Sequence, residues 1–219
     1  TYTFDPGNNF QGLAQNETQD VSFTYKATDD LNQDSNIATI TITVTGVNDL
    51  PTAEDGTNTA VEDGGTISGS VNTMDVDSDG IISHTIETDV NEGSAILNND
   101  GSYTFDPGVD FQDLPQGATR DVFFTYYASD PYGDSETKTI TITVTGINDA
   151  PIADDGTNTA QEDGGIINGV VTSADVDTGS TLTYTLLTNV IEGSSVLNND
   201  GTYTFDPGNN FQGLAQNET

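Results

Sequence analysis

Apolar side chains in this sequence fall on alternate positions within short runs. Ile140-Thr141-Ile142-Thr143-Val144-Thr145 places an apolar group at every second residue, the period of a strand with one buried face. Strands are predicted near residues 57–60, 66–71, 81–87, 94–97, 102–105, 122–128 and 138–145. Turn-forming groups separate them: Glu-Asp-Gly-Gly at 62–65, Asp-Ser-Asp-Gly at 77–80, Asn-Asn-Asp-Gly at 98–101 and Asp-Pro-Gly at 106–108. No segment carries a helical period. Seven short strands with regular turns predict a Greek-key β-sandwich.

The pattern recurs. Ile40 to Gly46 reappears at Ile140 to Gly146, 100 residues on, and Asp55 to Ala60 reappears at Asp155 to Ala160. Thr-Phe-Asp-Pro-Gly begins at Thr3, Thr104 and Thr204. Thr1 to Thr18 returns without change as Thr202 to Thr219. The unit is about 100 residues, a usual sandwich length. The expected organisation is the C-terminal part of one repeat over 1–46, a complete repeat over 47–146 and the N-terminal part of another over 147–219. The parent array is expected to be longer than this window.

Composition narrows the class. Of 219 residues, 36 are acidic and 3 are basic, a formal net charge of −33. Three bases cannot replace the counterions on a nucleic acid, and an anionic membrane would repel the chain. No run of about 18 apolar residues exists to span a bilayer, and Thr1-Tyr2-Thr3-Phe4 shows no leader-like start. Zero cysteines exclude disulfides and thiolate chemistry. High net charge favours disorder, but the acids avoid the alternating runs and gather in the turns, which favours a folded all-β chain.

That gathering is the candidate chemistry. Asp75-Val76-Asp77 follows the second strand, Asp130 precedes the last, and the entering linker supplies Asn48 and Asp49 with Pro51 just after them. In a Greek-key sandwich these segments share one end. Acids meeting there repel unless a cation sits among them, and calcium takes six to eight hard oxygen ligands of this kind. Asp175-Val176-Asp177 repeats the pair.

The ordered set of Gly-x-Asn-Asp-x-Pro, Glu-Asp-Gly, Asp-x-Asp, Asn-x-Asp-Gly-x-Tyr-Thr-Phe-Asp-Pro and Phe-x-Tyr-x-Ala-x-Asp resembles the bacterial cadherin-like and VCBS-type repeats of large secreted (RTX-type) adhesins. The resemblance covers the whole chain. It implies tandem cadherin/Ig-like sandwiches, rigidified by Ca2+, acting as spacer or fibre in cell adhesion outside a bacterial cell. It also implies site residues. Asn48, Asp49, Asn148 and Asp149 would be junction ligands; Asp75, Asp77, Asp130, Asp175 and Asp177 would come from the lower domains. Glu62 would come from the upper domain at the second junction. The acidic Leu-Asp-Arg-Glu element of animal cadherins has no counterpart near Leu114-Pro115-Gln116, which implies one or two ions per junction. The implied partners are neighbouring repeats of the same chain or head-to-tail copies.

Rival readings stand beside these. Any single Asp here also serves as a turn former. Asp75 to Gly80 imitates an EF-hand opening, but the twelfth position is Ile86 and the second copy has Gly179 in place of the third acid. His84, matched by Tyr184 in the next repeat, reads as a strand residue rather than a catalytic base, and no other catalytic constellation stands out, so no enzyme is expected. Lys26, Arg120 and Lys138 read as solvated charges. Tyr126, Tyr127 and Tyr132 near Asp130 could form a sugar-stacking platform, making a carbohydrate-binding module with glycan partners the alternative function. A third account makes the acidity a solubility device.

Overall fold

The computed structural model describes residues 1–78, 80 and 82–214. Asp79 (the third acid of the 75–80 run), Ile81 (the first residue of the strand expected at 81–87) and residues 215–219 of the duplicated segment lie outside the described residues. Contacts divide the chain into two compact bodies. One holds Thr1–Ala60, Gly64–Gly108 and Asp121–Val144, and the other Val61–Asp63, Val109–Arg120 and Thr145–Thr219. All regular structure among the described residues is β, as the alternation predicted.

The first segment contributes β1 (Thr18–Tyr25) and β2 (Ala38–Thr45), an antiparallel pair with Val21 opposite Ile42 and Phe23 opposite Ile40. On β2 the apolar residues are half-buried and Thr39, Thr41, Thr43 and Thr45 are exposed, the two faces of one pleat.

The middle segment begins with β3 (Thr52–Ala53), β4 (Gly56–Val61), β5 (Ile67–Ser70), β6 (Thr73–Met74) and β7 (Ser83–Thr88). It continues with β8 (Ser94–Leu97), β9 (Ser102–Asp106), β10 (Thr119–Ser129) and β11 (Lys138–Thr145). One sheet has the order β4-β11-β10-β7 and another β5-β9-β8, with β3 and β6 forming a small ladder. The sequence-predicted strands are all present, though β10 is longer than expected. β4 runs parallel to β11: Asp55 accepts from the Thr139 N–H at one end, and Thr145 O accepts from the Glu62 N–H at the other.

The inner rows make the core. Phe105, Val122, Phe124, Tyr126, Ala128, Ile142 and Val144 have no accessible surface, and each large apolar side chain so buried stabilises the fold by roughly 1.5–3 kcal/mol. Tyr126 reaches across to donate its hydroxyl to Glu54 O at 2.7 Å. Its ring belongs to the core, so the sugar-stacking platform loses that ring: period-2 alternation turns Tyr126 inward, while Tyr132 stands exposed in the turn after β10. His84 is buried in β7 between Thr73 Oγ1 and Asn99 O, both at 2.9 Å, a strand residue with both ring nitrogens engaged. Tyr184 takes the matching role through Ser173 Oγ at 2.7 Å.

The last segment holds β12 (Ile152–Ala153), β13 (Ile167–Val170), β14 (Ser173–Ala174), β15 (Ser194–Leu197) and β16 (Thr202–Asp206). The sheet β13-β16-β15 copies β5-β9-β8 in register: Ile167 faces Phe205 as Ile67 faces Phe105, and Leu197 faces Tyr203 as Leu97 faces Tyr103. Gly69 and Gly169 are required by close approach, because a Cβ there would lie 2.3 Å from the Tyr103 or Tyr203 ring. Residues 156–161 and 183–188, counterparts of β4 and β7, form no strand; among the described residues nothing plays the part of β10 and β11 beside them.

Candidate metal centres

The acids are held by turns. Asp75 Oδ1 accepts the Asp77 N–H and Asp175 Oδ1 the Asp177 N–H, both at 2.9 Å, closing an Asx turn that aims the second carboxylate back at the linker. Gly80 keeps the first turn tight, since a Cβ there would lie 2.8 Å from Asp75 Cβ.

In the first body the linker meets these turns directly. Asp77 Oδ2 accepts the Asp49 N–H at 2.9 Å, and Asn48 Nδ2 donates to Asp130 Oδ2 at 2.9 Å. Asp130 Oδ1 is held by the N–H groups of Tyr132 and Gly133, both at 2.6 Å. Burial opposes ionisation of Asp130, but the hydrogen bonds from Asn48, Tyr132 and Gly133 outweigh it and hold its pKa below the usual value. Pairwise hydrogen bonds thus link Asp130 to Asn48, Asp49 to Asp77 and Asp77 to Asp75, but among the described residues no three acids of this set bring carboxylate oxygens within 4.8 Å of one another.

In the second body Asp177 Oδ2 accepts the Asp149 N–H at 3.0 Å, and Glu62 Oε1 accepts the Ile147 N–H at 2.6 Å. Glu62, Asp149 and Asp177 each present a carboxylate oxygen within 4.8 Å of the others. Two oxygens bound to one calcium at about 2.3–2.6 Å lie no more than about 5 Å apart, so the spacing suits a shared ion. Glu62 is 1% exposed and Asp177 5%. Burial, then the charges of Asp149, Asp63 and Asp177, raises the Glu62 pKa despite the Ile147 bond. Burial and the charges of Asp63, Asp177 and Asp175 raise that of Asp149. Asp175 joins through its turn. Asn148 stays exposed, its amide donating to Asp149 O at 2.8 Å.

Unpartnered oxygens test the fit. Asp75 Oδ2 and Asp77 Oδ1 in the first cluster, and Glu62 Oε2, Asp149 Oδ2 and Asp177 Oδ1 in the second, are buried without a hydrogen-bond partner. A buried carboxylate oxygen left alone is costly. The bases are engaged elsewhere: Lys26 with Asp34, Arg120 with Asp113 at 2.7 Å and Lys138 with Glu136 at 3.0 Å. All donors are oxygen, which suits a hard cation and not zinc.

Sequence reasoning missed several supporting residues. Gln15 Oε1 accepts the Asn48 N–H at 2.9 Å and Gln116 Oε1 that of Asn148 at 3.2 Å. Glu17 Oε2 accepts from Ser78 Oγ at 2.8 Å and from the Ala14 N–H at 3.0 Å. The recurrence of Gln two residues after Leu13 and Leu114 was the available signal.

A tandem all-β sandwich with acid-lined linkers is the class these features define. The model of the bacterial cadherin-like domain matches residues 48–146, and that of a bacterial Ig domain matches residues 148–218. The middle of the chain is thus similar to a bacterial cadherin-like domain, and the part that follows it to a bacterial Ig domain. Among solved structures, human CDH23 EC21-23 is 18% identical over 85% of this chain and 63% of its own, with a TM-score of 0.54. Mouse Cadherin-23 EC22-24 is 21% identical over 71% and 53%, with a TM-score of 0.46. The Protocadherin GammaB4 extracellular domain is 15% identical over 87% and 34%, with a TM-score of 0.48. The chain therefore spans less than two thirds of these relatives' lengths, and the first of them supports the fold. No curated protein matches the chain. No helix among the described residues is long and apolar enough to cross a membrane.

Proposed function

We propose that this chain is a non-enzymatic structural segment of a bacterial surface or secreted adhesin, a spacer whose linkers stiffen when Ca2+ binds. The observation that carries this reading is the buried trio Glu62, Asp149 and Asp177, with three oxygens lacking any partner. On this reading Asn48, Asp49, Asp75, Asp77 and Asp130 hold the ion at the first linker, and Glu62, Asp149, Asp175 and Asp177 at the second, with Asn148 beside it. A bound divalent cation supplies the positive charge that neutralises the converging carboxylates. The chain's own residues orient them: the Asx turns and the Asp49 and Asp149 N–H groups fix one oxygen each and leave another free. The repeats then divide as 1–46, 47–146 and 147–219, each meeting its neighbour through a linker.

Calcium titration of the 219-residue chain, followed by melting temperature and small-angle scattering, tests the reading. Binding should raise the melting temperature and narrow the distribution of interdomain distances. Equal melting curves and scattering with calcium and with chelator would remove it.

A further inference from the structure

The first linker is gripped by bonds that use none of the oxygens left open for an ion. The loop at 12–17, just before β1, folds back on Gly46 at the start of the linker. The Asn16 N–H donates to Gly46 O at 3.1 Å, and the Gly46 N–H donates to Glu17 O at 2.7 Å. The fit is close, because a Cβ at Gly46 would lie 2.3 Å from Leu13 O and Ala14 O. Gln15 takes the Asn48 N–H two residues further along the linker.

The same loop reaches the Asp-x-Asp turn that lies beyond the linker. The Ser78 N–H donates to Gly12 O at 3.1 Å, and Ser78 Oγ donates to Glu17 Oε2 at 2.8 Å. Glu17 Oε2 also accepts the Ala14 N–H at 3.0 Å, so one carboxylate ties loop to turn. Ser78 directly follows Asp77, whose own carboxylate takes the Asp49 N–H. Loop, linker and turn belong to one compact body. The second linker repeats most of this frame: the Thr178 N–H donates to Asp113 O at 3.0 Å, the Gly117 N–H to Gly146 O at 2.9 Å, and Gln116 takes the Asn148 N–H. One part differs, because Ala118 stands where the first copy has Glu17.

We infer that Gly12 and Glu17 form a docking site for the Ser78 turn, which holds the first linker in one geometry without any cation. Each hydrogen bond contributes modestly, but together they fix both ends of one short linker. Glu17 acts here as a positioning residue and not as an ion ligand. The inference goes beyond the cation reading and requires no ion. Calcium then narrows interdomain distances chiefly at the second linker, where Ala118 offers no carboxylate to the turn.

The test uses the full 219-residue chain, which has no cysteine, with spin labels on Thr41→Cys and Thr85→Cys, both exposed strand positions. Double electron–electron resonance in chelator should give one narrow distance distribution that calcium leaves unchanged. Glu17→Ala removes both carboxylate bonds, and Gly12→Leu presses on Val76 O, which lies 3.3 Å from a Cβ at that position. Each should raise the share of other distances about tenfold, the ratio expected for losing two ordinary hydrogen bonds. Glu17→Gln keeps an oxygen that can accept from Ser78 and should raise it less. Calcium affinity of Glu17→Ala should stay within about twofold of the parent. A broad distribution for the parent in chelator, or a narrow one that survives both Glu17→Ala and Gly12→Leu, would overturn the inference. So would a Glu17→Ala chain that loses calcium affinity while its distances stay narrow, since Glu17 would then be an ion ligand.

Discussion

The Asp149 N–H donates to Oδ2 of Asp177 at 3.0 Å, while Oδ2 of Asp149 is itself buried with no partner. Asp49 and Asp77 repeat the bond at 2.9 Å. The backbone orients one aspartate of each pair, and unpartnered carboxylate oxygen remains beside it. Local bonding alone leaves such an arrangement incomplete.

Cation binding should therefore stabilise the fold. At a free calcium level of about 100 times Kd, each site adds roughly 2.7 kcal/mol. Differential scanning calorimetry should show a melting temperature that rises with calcium and falls back with chelator. A temperature insensitive to both would exclude these clusters as calcium sites.

Asp77→Ala should lower calcium affinity by tenfold or more, about 1.4 kcal/mol, because it deletes a charged ligand outside the apolar core. Thr43→Ala, which removes only the exposed bond to Asp20, should leave calcium affinity unchanged and shift stability by less than about 0.5 kcal/mol. Isothermal titration calorimetry on both variants decides whether Asp77 belongs to the site.

The second cluster should also show in pH dependence without cation. Burial raises the Glu62 pKa, so the native state binds more protons than the unfolded state between the unfolded and folded values. Stability from this group falls as pH rises through that window and recovers on acidification. Glu62→Gln should raise the cation-free melting temperature at neutral pH, flatten that slope and weaken calcium binding. An unchanged slope in chelator would show that Glu62 is not strained by its neighbours.

Gly69→Ala should destabilise the middle segment by about 1–3 kcal/mol through overpacking, since its Cβ would press into the Tyr103 ring. Urea denaturation measures the loss. Gly69→Ala combined with Tyr103→Ala should lose less than the two single changes added together, because the clash disappears with the ring.

Much of this architecture was legible because strand alternation and turn chemistry are local. Ile140 to Val144 announces its buried face in five residues, and the Asn-Asp and Asp-x-Asp groups mark the linkers. Other features were hidden by their dependence on distant partners. β3 and β6 are two-residue ladders joining Thr52 to Met74, too short to carry a period. Thr157 to Ala160 has the same sequence as Thr57 to Ala60 in β4, yet only the latter is a strand. Backbone pairing, not local sequence, separates those two copies. Gln15 and Gln116 carry no charge and no motif of their own, so their hydrogen bonds to the linker became visible only in three dimensions.

The parallel run of β4 beside β11 has a mechanical consequence. The middle segment is entered through the short β3, which leads into β4, and is left just after β11. Tension applied along the chain therefore pulls these neighbouring strands in opposite directions along their own length. Their bonds are loaded in shear, together, rather than peeled one at a time. A sandwich joined this way resists extension until many bonds fail at once.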